Sequence, residues 1–228
     1  MIIGITGGIG SGKSVIARQL RKMGYSVYDT DSEAKRIIVE DATVREQMTA
    51  LFGEEVYQDG VYQTSFVAQQ VFADKNLLAK LNAIVHPAVK ADIISKFRGL
   101  GVLISPEGSN DYSQANVQEF RSSGVTSEPS APSEPLNNDS GLFFIECAIL
   151  FQAGFDVLCD KVVGVTAPED IRLERVIARD HSDMNKVRAR MKAQEAEKDL
   201  QRADIVINND GTTPIPTLCE EIIHLLTK

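Results

Sequence analysis

An apolar run, Met1-Ile2-Ile3, leads into Gly4-Ile5-Thr6-Gly7-Gly8-Ile9-Gly10-Ser11-Gly12-Lys13-Ser14. From Gly7 this reads G-x-x-x-x-G-K-S, the pattern of a phosphate-binding loop. Glycines let successive N–H groups turn inward around an anion, where side chains would block the approach. The helix that follows offers the partial positive charge of its N-terminus to the same anion. A loop of this kind needs a strand before it and a helix after it. The strand fits Met1 to Thr6, and the helix fits Lys13 to Met23, with Val15, Ile16, Leu20 and Met23 in an amphipathic stretch. Gly8, Ile9, Gly10, Ser11, Gly12, Lys13, Ser14 and Val15 are therefore the expected nucleotide-binding residues. Lys13 can reach β- and γ-phosphates, and the Ser14 hydroxyl can ligate Mg²⁺.

The rest of the chain alternates in the same way. Strands are expected at Ser26 to Tyr28, Gly141 to Cys147, Lys161 to Thr166 and Ala203 to Asn208. Helices are expected at Ser32 to Glu40, Thr43 to Phe52, Thr64 to Phe72, Asn76 to Phe97 with an interruption at His86-Pro87, Pro168 to about Arg179, Asp183 to Glu195 and Thr213 to Leu226. Gly53 to Gln63 reads as loop. Strands alternating with helices predict an α/β fold: a three-layer α/β/α arrangement around a parallel sheet of about five strands. Ligands of such sheets bind beyond the C-terminal ends of the strands. The phosphate loop, Asp29 and Asp31, Glu146, and Asn208 and Asn209 all follow strands and are expected to converge there.

The chain has 228 residues and a formal net charge of -8, which argues against a general nucleic-acid or anionic-membrane surface. No apolar run approaches a membrane span. The N-terminus opens into a strand without a signal-like segment, so a cytoplasmic location is expected. Cys147, Cys159 and Cys219 are far apart and read as buried thiols, not as a disulfide or zinc framework. About Ser105 to Ser140 is rich in Ser, Pro, Asn and acidic residues and holds half of the prolines. Such a stretch cannot offset its ordering entropy by burial, so it reads as a mobile surface insertion.

Three groups carry the chemistry. Asp29-Thr30-Asp31 ends the second strand. Phosphoryl transfer to a hydroxyl needs a carboxylate that orients the acceptor and takes its proton. Asp31 is the expected base and Asp29 its support, although an acid or Ser32 here could instead cap the next helix. Arg172, Arg175 and Arg179 share one helix face (i, i+3, i+7), and Arg188 and Arg190 follow. Planar guanidinium groups suit a helical lid over ATP, or else form a solvated basic face with Glu169, Asp170 and Glu174. Glu146 is placed to hold the water shell of Mg²⁺. His86 could touch substrate phosphate or serve the structure. Asn208-Asn209-Asp210-Gly211 is turn chemistry, in which an amide could read a purine edge.

These motifs resemble the dephospho-coenzyme A kinase family. The resemblance rests on Thr6 to Ser14, on Asp29-Thr30-Asp31, and on Leu81-Asn82-Ala83-Ile84-Val85-His86-Pro87. Arg175-Val176-Ile177-Ala178-Arg179-Asp180 and Ala203 to Gly211 complete the ordered set. It covers nearly the whole chain except about Gly99 to Gly141. It implies ATP-dependent phosphorylation of the ribose 3′-hydroxyl of dephospho-coenzyme A, the last step of coenzyme A synthesis. It implies a core of residues 1–31, 141–171 and 201–228, a helical substrate-binding region at 32–98 and a lid at about 172–200; the insertion at about 101–140 is not typical of the family. Asp31 is then the base, Lys13, Arg175 and Arg179 the catalytic cations, Asn209 an ATP contact, and Asp29 and His86 substrate contacts. ATP, dephospho-coenzyme A and Mg²⁺ are the implied partners, and no obligate protein partner is indicated. A nucleoside or nucleotide kinase, and a non-catalytic nucleotide-binding protein, are the competing readings. Two further departures stand out. Ala148-Ile149-Leu150-Phe151-Gln152 replaces a Pro-Leu-Leu-Phe-Glu pattern, and Thr64 to Gln70 lacks an expected arginine. Lys75, Lys80 or Lys90 could supply that charge.

Overall fold

The computed structural model describes residues 1–102, 141–194 and 196–228. The expected insertion at about 101–140 lies almost wholly outside the described residues. The elements run β1 (Ile2–Gly7), α1 (Lys13–Lys22), β2 (Ser26–Asp29), α2 (Thr30–Glu40), α3 (Ala42–Phe52), β3 (Tyr57–Gln58) and β4 (Val61–Tyr62). They continue with α4 (Thr64–Ala73), α5 (Lys75–Gly99), β5 (Phe143–Glu146), β6 (Lys161–Thr166), α6 (Glu169–Asp180), α7 (Met184–Ala193), α8 (Ala196–Arg202), β7 (Ile205–Asn208) and α9 (Ile215–Leu226). The chain divides after Tyr28 into two compact units. One holds residues 1–28 with the described residues after 140, and the other holds the described residues from Asp29 to 102.

The first unit is built on a five-stranded sheet of order β2-β5-β1-β6-β7. β1 pairs parallel with β5 on one side and with β6 on the other, and β6 pairs parallel with β7. This central place explains why all six residues of β1 are buried, as parallel strands covered on both faces must be. On one face Ile3, Ile5, Phe144, Val163, Val165 and Ile207 form a single apolar cluster. Ile16 and Leu20 of α1 and Leu218, Ile222 and Leu226 of α9 complete it. The other face is covered by α8. A Cβ at Gly164 would stand 2.7 Å from Leu200 Cδ2 and 3.1 Å from the Ala203 Cβ, so only a glycine lets that helix lie so close. The expected α/β fold with helices on both sides of a mostly parallel five-stranded sheet is the one observed.

The second unit is helical. Ile37, Val44, Met48, Phe52, Val56, Val67, Val85, Val89, Ile93 and Phe97 are buried. Arg36 of α2 reaches Glu33 at 2.6 Å, Glu40 at 3.1 Å and Asp92 of α5 at 2.6 Å. Two expectations are corrected here. Gly53 to Gln63 is not plain loop: β3 and β4 form a short antiparallel hairpin. Its turn residues Asp59 and Gly60 both have positive φ, 50° and 78°, which is the Asp-Gly turn that matches strand twist. His86-Pro87 does not interrupt the helix, because α5 runs through Pro87 for 25 residues. Proline forfeits one main-chain bond. The buried row Val85, Val89, Ile93 and Phe97 holds the helix together across that gap.

Candidate active site

The site begins where β1 ends. The loop from Gly8 to Gly12 turns through a Ser11 N–H bond to the Gly8 carbonyl at 3.0 Å, and α1 follows at once. Gly10 and Gly12 have φ of 80° and 93°, in the left-handed region that favours glycine. Space is equally limiting. A Cβ on Gly12 would lie 2.1 Å from Asn209 Nδ2, and one on Gly10 would lie 2.5 Å from the Arg172 carbonyl oxygen. Among the described residues no acceptor pairs with the main-chain N–H of Gly10, Gly12, Lys13 or Ser14. Four N–H groups at a helix N-terminus form an anion-binding nest.

Three side chains line the start of α1. The Ser14 hydroxyl donates to Glu146 Oε1 at 3.0 Å, and Lys13 Nζ lies 3.9 Å from the same oxygen. Glu146 is the last residue of β5, opposite Ile5, and is only 5% exposed. A carboxylate this buried needs cationic and hydrogen-bonding company, and Lys13 and Ser14 provide it. Among the described residues no group of three or more His, Cys, Asp or Glu could cage a metal. A hydroxyl plus one carboxylate is nevertheless a fitting donor set for Mg²⁺. That ion takes hard oxygen ligands, retains several waters and completes its shell with substrate phosphates.

The back of the loop is held by distant residues. Asn209, 3% exposed, donates from Nδ2 to the Ser11 carbonyl at 2.9 Å. Arg175 Nη1 donates to the Asn209 carbonyl at 2.9 Å and to the Gly10 carbonyl at 3.5 Å. The Ile9 N–H donates to Gln194 Oε1 at 2.7 Å. Buried Arg172 Nε has no partner among the described residues. Arg179 instead makes two bonds to its neighbour Asp180, at 2.6 and 3.0 Å, and Arg190 reaches the same carboxylate at 3.4 Å.

The first unit thus brings together Lys13, Ser14, Glu146, Arg175 and Asn209, while Arg179 faces Asp180. The remaining candidates belong to the second unit. Asp29, at the end of β2, caps α2: its Oδ1 accepts from the N–H groups of Asp31 and Ser32, both at 3.1 Å. Asp31 is exposed in the first turn of that helix, where a negative charge complements the helix dipole. His86 is half-buried in α5, and burial lowers its imidazole below the ordinary pKa.

A family model described as dephospho-CoA kinase matches residues 1–102 and 133–214. A dephospho-CoA kinase of Porphyromonas gingivalis is 38% identical over 99% of this chain and 95% of its own length. One from Bacteroides fragilis is 33% identical over 99% of this chain and 93% of its own. The chain belongs to the dephospho-CoA kinase family. A crystal structure of a Thermus thermophilus protein, 28% identical, superposes with a TM-score of 0.71 over 100% of this chain and 96% of its own. The dephospho-CoA kinase of Campylobacter jejuni shares the fold, with a TM-score of 0.61 at 20% identity over 99% of this chain and 96% of its own.

Two residues of the site escape sequence reasoning. Gln194 lies 185 positions from the loop amide it accepts from, and no spacing rule joins them. Asp199 meets the glutamine that stands where the family pattern has glutamate. It is 5% exposed, and Gln152 Nε2 donates to its Oδ2 at 2.8 Å. A glutamate at 152 would oppose one carboxylate with another, whereas glutamine donates to it. None of the cysteines forms a disulfide; Cys147 and Cys219 are buried and Cys159 is partly buried, burial pushes the Cys159 thiol up, and burial pushes Cys219 up to about 11. No helix among the described residues is long and apolar enough to cross a membrane.

Proposed function

We propose that the chain transfers the γ-phosphoryl group of ATP to the ribose 3′-hydroxyl of dephospho-coenzyme A, giving coenzyme A and ADP. Membership of the dephospho-CoA kinase family supports the reaction, and one observation carries it in the structure. The N–H groups of Gly10, Gly12, Lys13 and Ser14 are grouped beside the Lys13 ammonium and the Ser14–Glu146 pair. A nucleoside kinase of the same class would use that nest too, but the family match favours dephospho-coenzyme A. A binding protein without turnover would not need an acid such as Asp31.

The nest and Lys13 bind the β- and γ-phosphates and stabilise charge that builds on them during transfer. The Ser14 hydroxyl, and Glu146 through water, would hold Mg²⁺, which when bound neutralises phosphate charge. Asp31 accepts the proton of the 3′-hydroxyl as its oxygen bonds to the γ-phosphorus and the bond to the ADP oxygen breaks. Asp29 fixes the backbone under Asp31 through its Oδ1 bonds to the N–H groups of Asp31 and Ser32. Arg175 keeps the loop in place with Nη1 and offers its other nitrogens to phosphate. Arg179 joins only by exchanging Asp180 for phosphate. Asn209 serves ATP from behind the loop, and His86 completes the acceptor side. Among the lysines proposed to replace the missing arginine, Lys90 is half-buried while Lys75 and Lys80 are exposed.

The direct test supplies ATP, Mg²⁺ and dephospho-coenzyme A and follows coenzyme A by mass spectrometry. A substrate panel that includes nucleosides ranks acceptors by kcat/KM. Product from a nucleoside but none from dephospho-coenzyme A overturns the reading.

A further inference from the structure

The tip of the phosphate loop is gripped at three successive residues by three different parts of the chain. Arg175 of α6 takes the Gly10 carbonyl, and Asn209, after β7, takes the Ser11 carbonyl. Gln194, at the junction of α7 and α8, takes the Ile9 N–H at 2.7 Å. Gln194 is unlike the other two, because its amide accepts from the loop and also donates elsewhere. Its Nε2 faces the Ala148 carbonyl at 3.4 Å, in the turn just after Glu146. One carboxamide therefore spans the loop that carries the N–H nest and the strand end that carries the buried acid. An uncharged amide suits this task. It can accept from one main chain and donate to another, and it adds no charge near an anion.

We propose that Gln194 is a positioning residue for phosphoryl transfer. It ties the phosphate loop at Ile9 to the turn after β5 at Ala148, and so sets the spacing between the nest and Glu146. The proposal rests on the kinase reading above. The span matters because a misplacement of about 1 Å in such a site costs on the order of 10²-fold in rate. The junction between α7 and α8 is the natural place for this tie, because Gln194 leaves the helix in extended conformation, with ψ of 125°.

The test compares wild type with Gln194→Met, which keeps length and volume but removes both hydrogen-bonding atoms. With ATP, Mg²⁺ and dephospho-coenzyme A, kcat/KM for ATP falls about tenfold or more. KM for dephospho-coenzyme A stays within about twofold, and the thermal midpoint without nucleotide is unchanged. Gln194→Glu keeps the acceptor but loses the donor and adds a charge beside the phosphates, so its loss for ATP exceeds that of methionine. Wild-type kinetics for Gln194→Met overturn the proposal, as do equal losses for both substrates with a lowered midpoint. Should that variant not fold, amide exchange of ¹⁵N-isoleucine-labelled wild type decides: Ile9 exchanges slowly without nucleotide, and exchange at the rate of an open loop overturns the tie. A wild-type chain that makes no coenzyme A sinks the kinase reading instead, and the Ile9 exchange measurement still stands or falls separately.

Discussion

The phosphate loop and the Asp29–Asp31 segment both follow strands, yet they are held in opposite ways. The loop presents main-chain N–H groups, and its outward-facing groups are tied by residues up to 198 positions away. The acidic segment presents side chains, and its shape is set within three residues by the Asp29 cap on α2. A main-chain site has no side-chain freedom to correct an error, so its geometry must be imposed from outside. A side-chain site needs only the right residue on the right turn of a helix. Substitutions should therefore act cleanly at Asp31, whereas at the loop even residues that never touch phosphate should matter.

The largest effect is expected at the side-chain site. Asp31→Asn removes the proposed proton acceptor and should lower kcat by about 10²–10⁴ while ATP binding stays near wild type. Turnover equal to wild type would place the base elsewhere. Lys13→Ala removes charge stabilisation at the loop and should cost on the order of 10²–10³ in kcat; steady-state kinetics with both substrates measures it. Asn209→Ala sharpens the contrast. If the amide serves by holding Ser11, affinity should fall by about tenfold for ATP and GTP alike. A change in the preference between the two purines would show instead that the amide reads the base.

The smallest effect concerns His86 and pH. Burial lowers its folded pKa below the ordinary 6.5, so the folded state binds a proton less readily than the unfolded chain. Stability from this group is complete above about pH 6.5 and is lost as pH falls through that value toward the folded pKa. Thermal midpoints of wild type should drop across that window, and those of His86→Gln should drop less. Parallel curves would assign the acid sensitivity to other groups.

Much of the site was legible because it is written locally. The glycines, Lys13 and Ser14 act at positions dictated by one strand–loop–helix unit. Asp29 and Asp31 sit at a strand end, and there the roles divide: Asp29 is the cap that sequence left open between an acid and Ser32. The hairpin at Asp59-Gly60 carries a local signal in its Asp-Gly dipeptide, but its two-residue strands are too short to show period-two alternation. Continuity of α5 through Pro87 was not readable, because local rules count the lost hydrogen bond and not the buried row that offsets it. The same limit hid Gln194 and Asp199, whose partners are remote in the chain.

From the sequence alone came the parallel α/β core, the glycine-rich loop after β1, Ser14 and Glu146 as proposed Mg²⁺ donors, and the resemblance to a kinase family. These depend on backbone conformation and periodicity, which neighbouring residues largely decide. Only the tertiary structure decided that Asn209 and Arg175 turn inward to hold the loop, that Arg179 turns to Asp180, and that Gln152 answers a buried Asp199. Each of those choices is a competition among hydrogen-bonding partners. Which partner wins depends on what the folded chain brings within about 3 Å, and sequence spacing does not carry that distance.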